Sequence, residues 1–224
     1  MAEDLSTPGR SVFPEIARLP AMYAAELEGL TGEQADRKRP DKGWGLWSIR
    51  EIVSHVASVP YRWLLVRWGP ALFGGDLPRG QALADEVSSG RMLDFGRVHE
   101  TADLLAAVRD AYELTWEVLG TMTLGAMREH ETTNRVPFDA VREPGGESVR
   151  AWRVEVTMKA HPNGIWIDPE DPEVFHFNLE YTFRHLLWEG LSHLRSIQMH
   201  KQAEGLPIRE TVPEVGYIPI VGWD

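Results

Sequence analysis

The sequence predicts an all-α protein, an antiparallel four-helix bundle with a loop or β-hairpin inserted before the last helix. Two observations lead to this fold class. Apolar residues recur at helical spacing in four long stretches, near residues 14–30, 48–68, 100–121 and 175–202. Between the third and fourth stretches the pattern changes to the period of two that is typical of a half-buried strand. We expect one domain over residues 1–224, with its bundle core at about 13–125 and 175–206, its insertion at about 129–174 and an extended tail at 207–224.

Composition limits the classes of function. The chain has 224 residues, of which 43% are hydrophobic and 25% charged, as in an ordinary globular domain with its own core. Its net charge of −11 argues against nucleic acid as a partner, because phosphate binding needs a basic surface. No apolar run approaches the roughly 20 residues of a membrane span, and the N-terminus lacks the features of a signal peptide. We expect a cytoplasmic protein that acts on a small molecule, without a nucleic-acid or membrane partner.

The chain contains no cysteine. Disulfides, thiolate metal ligands and a cysteine nucleophile are therefore excluded. Any thiol chemistry would need a thiol that arrives on another molecule.

The first two helices are predicted from their apolar faces and from one clear start signal. The first face contains Ile16, Leu19, Tyr23, Leu27 and Leu30. Ser48 and Glu51 have the spacing of a capping box, which opens the second helix. The second face contains Ile49, Ile52, Val56, Val59 and Trp63. His55 lies at the edge of that face, and Pro60 should kink the helix near its middle.

The middle of the chain combines one long helix with the predicted insertion. Residues 70–97 are rich in glycine and proline and predict a long connection with at most one short helix. The third helix follows, near residues 100–121. In the insertion, apolar and polar residues alternate over 152–159, which predicts a strand. Turn residues at 161–164 and an apolar run at 165–167 then predict a hairpin.

The last helix is clearest over residues 179–202, and it carries a notable polar pair. Its apolar face contains Leu179, Phe183, Leu186, Gly190, Leu194 and Ile197. Glu189 and His193, four residues apart, lie side by side at one edge of this face. A carboxylate turned toward a core is costly unless a positive charge compensates it. A metal ion would supply that charge and would use the neighbouring imidazole as well.

The tail after this helix is rich in apolar residues. Residues 207–224 include Tyr217, Ile218, Ile220 and Trp223. So much apolar surface predicts that the tail lies against the body of the protein or against a second copy of the chain in a homodimer.

Histidine and glutamate on facing helices suggest a metal site, because such sites in helix bundles are built from inward side chains. His55, Glu189 and His193 would form a set of two histidines and one carboxylate. Three protein ligands leave coordination positions open, as in a catalytic zinc site, and the same set suits other divalent metals, including non-haem iron. The alternative is that all three are ordinary core or surface residues, because histidines on helix faces and Glu–His pairs at this spacing are common.

Three short motifs carry a resemblance to a known family. Residues 27–34 (LEGLTGEQ), 47–55 (WSIREIVSH) and 189–193 (EGLSH) occur in the order seen in the DinB-like (damage-inducible) family. The third motif is similar to the E-x-x-x-H form of its last helix, found in the branch of the mycothiol-dependent maleylpyruvate isomerases. The resemblance covers roughly residues 19–68, 98–125 and 176–206. Arg195 and Ser196 depart from it, since the family often has glycine and glutamine there.

This resemblance implies a four-helix bundle in which His55, Glu189 and His193 hold a divalent metal, zinc or nickel first and iron as a further option. It also implies a low-molecular-weight thiol as cofactor, with transferase or isomerase chemistry. Two alternatives stay open. One is a metal-dependent hydrolase, and the other is a non-catalytic metal-binding or stress-response protein.

Other side chains are candidates for the surroundings of the site. Arg62 projects in nearly the same direction as His55 and could hold an anionic cofactor or substrate group, although a solvated or ion-paired arginine explains it equally well. Trp47 and Trp188 are near enough to line a pocket. His185 is rotated away from the apolar face, so we expect a supporting or surface residue there and not a ligand.

Overall fold

A computed structural model describes residues 3–142 and 146–223 and shows a mixed α and β fold. The α-helices are α1 (Gly9–Val12), α2 (Leu19–Leu27), α3 (Gly32–Asp36), α4 (Ile49–Tyr61), α5 (Gly69–Phe73), α6 (Gln81–Ser88), α7 (Thr101–Leu119), α8 (Leu124–Glu129), α9 (Val149–Trp152), α10 (Met158–Ala160) and α11 (Leu179–Ala203). The strands are β1 (Glu131–Arg135), β2 (Val141–Arg142), β3 (Glu147–Ser148), β4 (Ile165–Ile167) and β5 (Val174–Asn178). Two π-helical turns, Arg62–Arg67 and Arg153–Thr157, continue α4 and α9.

The predicted all-α class is wrong, because the insertion folds as a sheet and not as a loop or an isolated hairpin. β5 is its central strand and pairs antiparallel with β1 on one side and β4 on the other. Phe175 and Phe177 on β5 are fully buried, so the sheet adds its own apolar surface to the core. A second, two-stranded ladder joins β2 to β3.

Four of the helices, α2, α4, α7 and α11, pack against one another around the main core. They coincide with the four predicted helical stretches, although α2 is shorter because Pro14–Arg18 is a 3-10 turn. Tyr23, Val108 and Leu186 are fully buried in this core. None of the helices in the described ranges is long and apolar enough to cross a membrane. The packing places α4 directly against α11, which fixes the distance between the two halves of the candidate site.

The start of α4 confirms the predicted capping box. The Ser48 hydroxyl accepts a hydrogen bond from the Glu51 N–H, and the Glu51 carboxylate accepts one from the Ser48 N–H at 2.8 Å. Pro60 lies inside the helix, where it lacks the N–H of the regular bonding pattern. Just after it the helix widens into the π-helical turn Arg62–Arg67. Such turns are frequent at functional sites.

The predicted strand over residues 152–159 is wrong, because this segment is helical. Apolar residues at every second position also satisfy helical spacing in pairs, since Trp152 and Val156 are four residues apart. Ser148 favours the helix over the strand, because its hydroxyl caps the helix by accepting from the Ala151 N–H at 3.2 Å. β4 is a strand as expected, but it pairs with β5 and not with residues 152–159.

The last helix begins at Leu179 and not at 175, because the four residues before it belong to β5. The Asn178 side chain caps the helix by accepting from the Tyr181 N–H at 2.8 Å. The C-terminal tail lies against the body of the same chain, as one of the two expectations had it. Val212, Tyr217 and Ile218 are all buried there.

A buried ion pair fastens the tail to the core. Lys201 on α11 contacts the Glu26 carboxylate of α2, and both side chains are almost completely buried. The same carboxylate accepts from the N–H groups of Arg209 and Glu210, at 3.0 and 2.9 Å. Glu26 therefore joins α2, α11 and the first residues of the tail.

We expect Lys201→Met to lower the free energy of unfolding by about 3 kcal/mol, because it leaves the buried Glu26 charge without its cation. Lys159→Met is the matched control, since Lys159 pairs with Glu155 at an exposed site and should cost less than about 1 kcal/mol. Urea unfolding measures both values. Equal losses for the two variants would show that the buried Glu26 pair stabilises the fold no more than an exposed ion pair does.

Candidate metal centre

Three side chains from two helices meet at the contact between α4 and α11. His55 lies two turns after the Ser48 cap, and Glu189 and His193 are one turn apart on α11. The Glu189 Oε1 atom lies 3.4 Å from His55 Nε2 and 3.5 Å from His193 Nε2. His55 and Glu189 are buried, whereas the His193 side chain is 17% exposed. The structure thus brings together all three residues predicted as metal ligands.

Two of the three separations between the ligand atoms are close to those that a metal ion requires. Tetrahedral zinc with ligands at 2.0–2.2 Å holds neighbouring ligand atoms about 3.3 Å apart. The two measured separations are close to this value, and all three ligand atoms lie within 4.8 Å of one another. A buried group of two imidazoles and one carboxylate that could bind a metal ion is therefore present.

A hydrogen bond fixes the tautomer of His55, and with it the nitrogen whose lone pair faces Glu189. His55 Nδ1 lies 2.7 Å from the Arg91 carbonyl oxygen, so Nδ1 carries the hydrogen and donates it. Ser58 Oγ donates to the same carbonyl at 2.8 Å, which holds that oxygen in place. A second partner of this kind is typical of metal-binding histidines. His55 Nε2 is consequently an acceptor that faces the carboxylate oxygen of Glu189.

Two acceptors at 3.4 Å repel each other unless a positive charge lies between them. Burial lowers the pKa of His55 to about 3, so a proton does not supply this charge at neutral pH. Burial raises the pKa of Glu189, but the His193 ring, which can donate a hydrogen bond to the carboxylate, holds that pKa well below its ordinary value. The group therefore consists of a carboxylate beside neutral imidazole, which is the protonation state that a divalent cation binds.

The Trp47 ring packs against both histidines of the ligand group. Its ring lies 4.7 Å from the His55 ring and 5.7 Å from the His193 ring, measured between centroids. The Arg91 guanidinium lies over the same indole at 4.5 Å. These contacts hold both imidazoles in position.

Two cavities meet at Glu189, which lines both. The first, about 400 Å³, is called here the aromatic cavity; it includes His193, Trp47, Trp152, Tyr217 and Trp223. The second, about 520 Å³, is called here the arginine cavity; it includes His55, Arg62, Arg67, Arg91 and Arg153. Both volumes fall in the range of small-molecule sites. The candidate metal group therefore faces space for a ligand on two sides.

The structure places some of the other side chains predicted to surround the site in the two cavities and places others elsewhere. Arg62 lines the arginine cavity and Trp47 the aromatic cavity. Trp188 does not belong to the described lining of the aromatic cavity; it packs against Gly216 and Tyr217 instead. His185 is buried, its Nδ1 lies 2.6 Å from the Tyr217 hydroxyl, and it lines the arginine cavity.

Sequence reasoning missed several residues around the site. Arg67, Arg91 and Arg153 line the arginine cavity, and Tyr217 of the tail lines the aromatic cavity. The Tyr217 hydroxyl also lies 2.9 Å from Nε2 of the buried His161. None of these residues belongs to a motif. The five-residue spacing of Arg62 and Arg67 would have indicated a shared face only if the π-helical turn had been foreseen.

Comparison of the chain with family models, curated proteins and solved structures gives no match. The resemblance carried by the three short motifs therefore stays a prediction, and the function must be inferred from the site itself.

Close packing beside Glu189 leads to a further prediction. A Cβ atom at Gly190 would lie 2.6 Å from the Tyr112 hydroxyl and 3.1 Å from Leu19 Cδ1. We expect Gly190→Ala to lower the free energy of unfolding by about 1–3 kcal/mol through overpacking, although alanine is the better helix former. Gly32→Ala is the control, because its Cβ would lie 3.4 Å from a flexible Arg50 side chain. If urea unfolding shows that Gly190→Ala is as stable as Gly32→Ala, then overpacking at Gly190 is contradicted.

Proposed function

We propose that the protein is a divalent-metal-dependent enzyme in which His55, Glu189 and His193 hold zinc or nickel. We further propose that it is a transferase or isomerase that uses a low-molecular-weight thiol. The observation that carries the proposal is the position of this group at the junction of two cavities. Three protein ligands leave coordination positions open, and a ligand can approach from either cavity.

Charge favours an anionic reactant at the open position. Two neutral imidazoles and one carboxylate around a divalent cation give a net charge of +1, which one thiolate or one hydroxide ion would neutralise. A divalent cation supplies Lewis acidity there and lowers the pKa of an incoming thiol or water. The chain contains no cysteine, so a thiol nucleophile must come from a separate molecule.

The protein groups position the candidate ligands and provide an apolar wall beside them. The Arg91 carbonyl fixes His55 in one tautomer and orientation, and Trp47 packs against both imidazoles. The aromatic cavity offers an apolar wall of Trp152, Tyr217 and Trp223 for the organic part of a reactant. Two ligand-sized cavities favour an enzyme over a purely structural metal site, whose ligands are normally closed off.

The test compares zinc- or nickel-loaded protein with chelator-treated protein, using a panel of electrophilic substrates. We expect turnover that requires the metal, because the chain contains no cysteine that could act as a nucleophile of its own. Turnover that is unchanged by complete metal removal would contradict the proposal.

A further inference from the structure

Among its described lining residues, the arginine cavity has more cationic than anionic side chains. Arg62, Arg67, Arg91 and Arg153 line it. Among the described residues of the lining, Glu189 is the one carboxylate, and it lies against the two candidate histidine ligands, His55 and His193. Four cations therefore line a space of about 520 Å³ in a chain whose net charge is −11. Such a concentration of guanidinium groups favours an anionic ligand.

Two unusual backbone segments supply three of these arginines. Arg62 and Arg67 are the first and last residues of one π-helical turn, and Arg153 begins the other. The turns are distant in sequence, but their arginines line one cavity. Such π-helical turns are rare in proteins and are frequent at functional sites. Their convergence here points to a ligand.

Among the four arginines of the cavity, Arg67 gives the clearest evidence for an anion site. Its guanidinium lies over the Trp63 ring at 4.2 Å and the Phe177 ring at 5.3 Å. Stacking uses the flat face of a guanidinium, whose N–H edge still suits an oxyanion. Within residues 3–142 and 146–223, no carboxylate forms an ion pair with Arg67. Burial, followed by the charge of Arg153, lowers the pKa of Arg67 to about 10, so it remains a cation at neutral pH.

We propose that the arginine cavity binds the dianionic phosphoryl group of a small-molecule substrate. A phosphoryl group carries about −1.5 to −2 charges at neutral pH and offers three strong acceptor oxygens. A carboxylate offers two oxygens and one charge, and it matches a single guanidinium fork. His55 and Glu189 line the same cavity, so a substrate anchored by its phosphoryl group reaches the candidate metal centre. This inference rests on the proposed function for the role of substrate, but the binding site is testable separately.

The experiment is calorimetric titration of the full-length protein with inorganic phosphate, after chelator treatment and again with one equivalent of zinc. We expect saturable binding in both states, and binding at least about tenfold weaker in Arg67→Gln. Arg37→Gln is the matched control, because Arg37 is exposed, pairs with Glu33 and lies outside both cavities. Arg67→Lys keeps the charge but loses the planar fork, so its loss of affinity should be smaller. Thermal unfolding checks that each variant is folded.

The outcomes separate this inference from the proposed function. Phosphate binding that weakens in Arg67→Gln but not in Arg37→Gln supports the site, whether or not a metal-dependent activity is found. Equal weakening in the two variants, or no binding to wild-type protein, overturns it. Acetate that binds more tightly than phosphate also overturns it, in favour of a carboxylate site. Metal-dependent turnover without phosphate binding would sustain the proposed function and end this inference.

Discussion

Replacement of His193 by alanine is expected to weaken zinc binding by more than about 100-fold. Loss of a supporting partner outside the ligand set typically costs 10–100-fold in metal affinity, and loss of a ligand should cost more. Only His55 and Glu189 of the three would remain, and two ligands from a buried site do not hold zinc tightly. The His193 side chain is partly exposed, so its removal should leave the fold intact.

His185→Ala provides the matched control. His185 lies on the same helix, one turn before Glu189, and is also buried. It bonds to the Tyr217 hydroxyl and does not belong to the ligand group, so most of the zinc affinity should remain. Elemental analysis after dialysis gives the stoichiometry, and competition with a coloured chelator gives the affinity. Zinc that binds to His193→Ala as tightly as to wild type would rule out the proposed ligand set.

The ligand group could be predicted because it depends on local rules. The spacing of Glu189 and His193 places them on one side of a helix whatever the rest of the chain does. The capping box at Ser48 fixes where α4 begins, and therefore which face His55 occupies. Both helices have clear apolar faces, so their mutual packing follows from burial. Short-range spacing in two helices was enough to bring three side chains together.

The arginine cavity could not be predicted, because it depends on non-local structure. Arg67 and Arg153 reach it through π-helical turns, whose extra residue per turn changes the direction of every later side chain. Arg91 lies in the loop after α6, whose path is fixed by contacts such as the Leu93 N–H bonded to Ser54 Oγ at 3.0 Å. No periodic pattern in the sequence encodes these positions.

The sheet was missed for a related reason. β5 runs directly into α11, and its apolar residues extend the helical pattern backward, so the pattern predicts a helix that starts near residue 175. Its strand character depends on pairing with β1, which is far from it in the sequence, as well as with the short neighbouring strand β4. Strands of three to five residues carry little period-two signal by themselves. The alternation at residues 152–159 was the stronger pattern, and it belongs to a helix.

The second large effect concerns the choice between thiol and water as the nucleophile. We expect metal-loaded protein to turn over electrophilic substrates at least about 100-fold faster with an added small thiol than without it. Coordination would hold the thiol as thiolate at neutral pH, and thiolate is intrinsically the stronger nucleophile. A 100-fold ratio corresponds to about 2.7 kcal/mol of barrier, which is within what metal activation supplies.

Substitution of Glu189 tests whether the net charge of the metal-loaded site affects the thiol-dependent rate. Glu189→Gln keeps the shape of the side chain and raises the net charge of a metal-loaded site from +1 to +2, so one thiolate no longer neutralises it. We expect the thiol-dependent rate to fall by at least about tenfold even when metal is saturating. Glu33→Gln, at an exposed position on α3, should leave the rate unchanged. Rates are compared with metal content measured on the same samples, so that lost metal is not mistaken for lost chemistry.

The opposite result has a definite meaning. Hydrolysis that proceeds without thiol and disappears in Glu189→Ala would show that water is the nucleophile and that the protein is a hydrolase. No turnover under either condition would leave the cavities without a catalytic role and would favour a metal-binding protein. Thiol dependence combined with loss in Glu189→Gln would favour a thiol that reacts at the metal group itself, because the charge of a carboxylate acts most strongly on groups in direct contact with it.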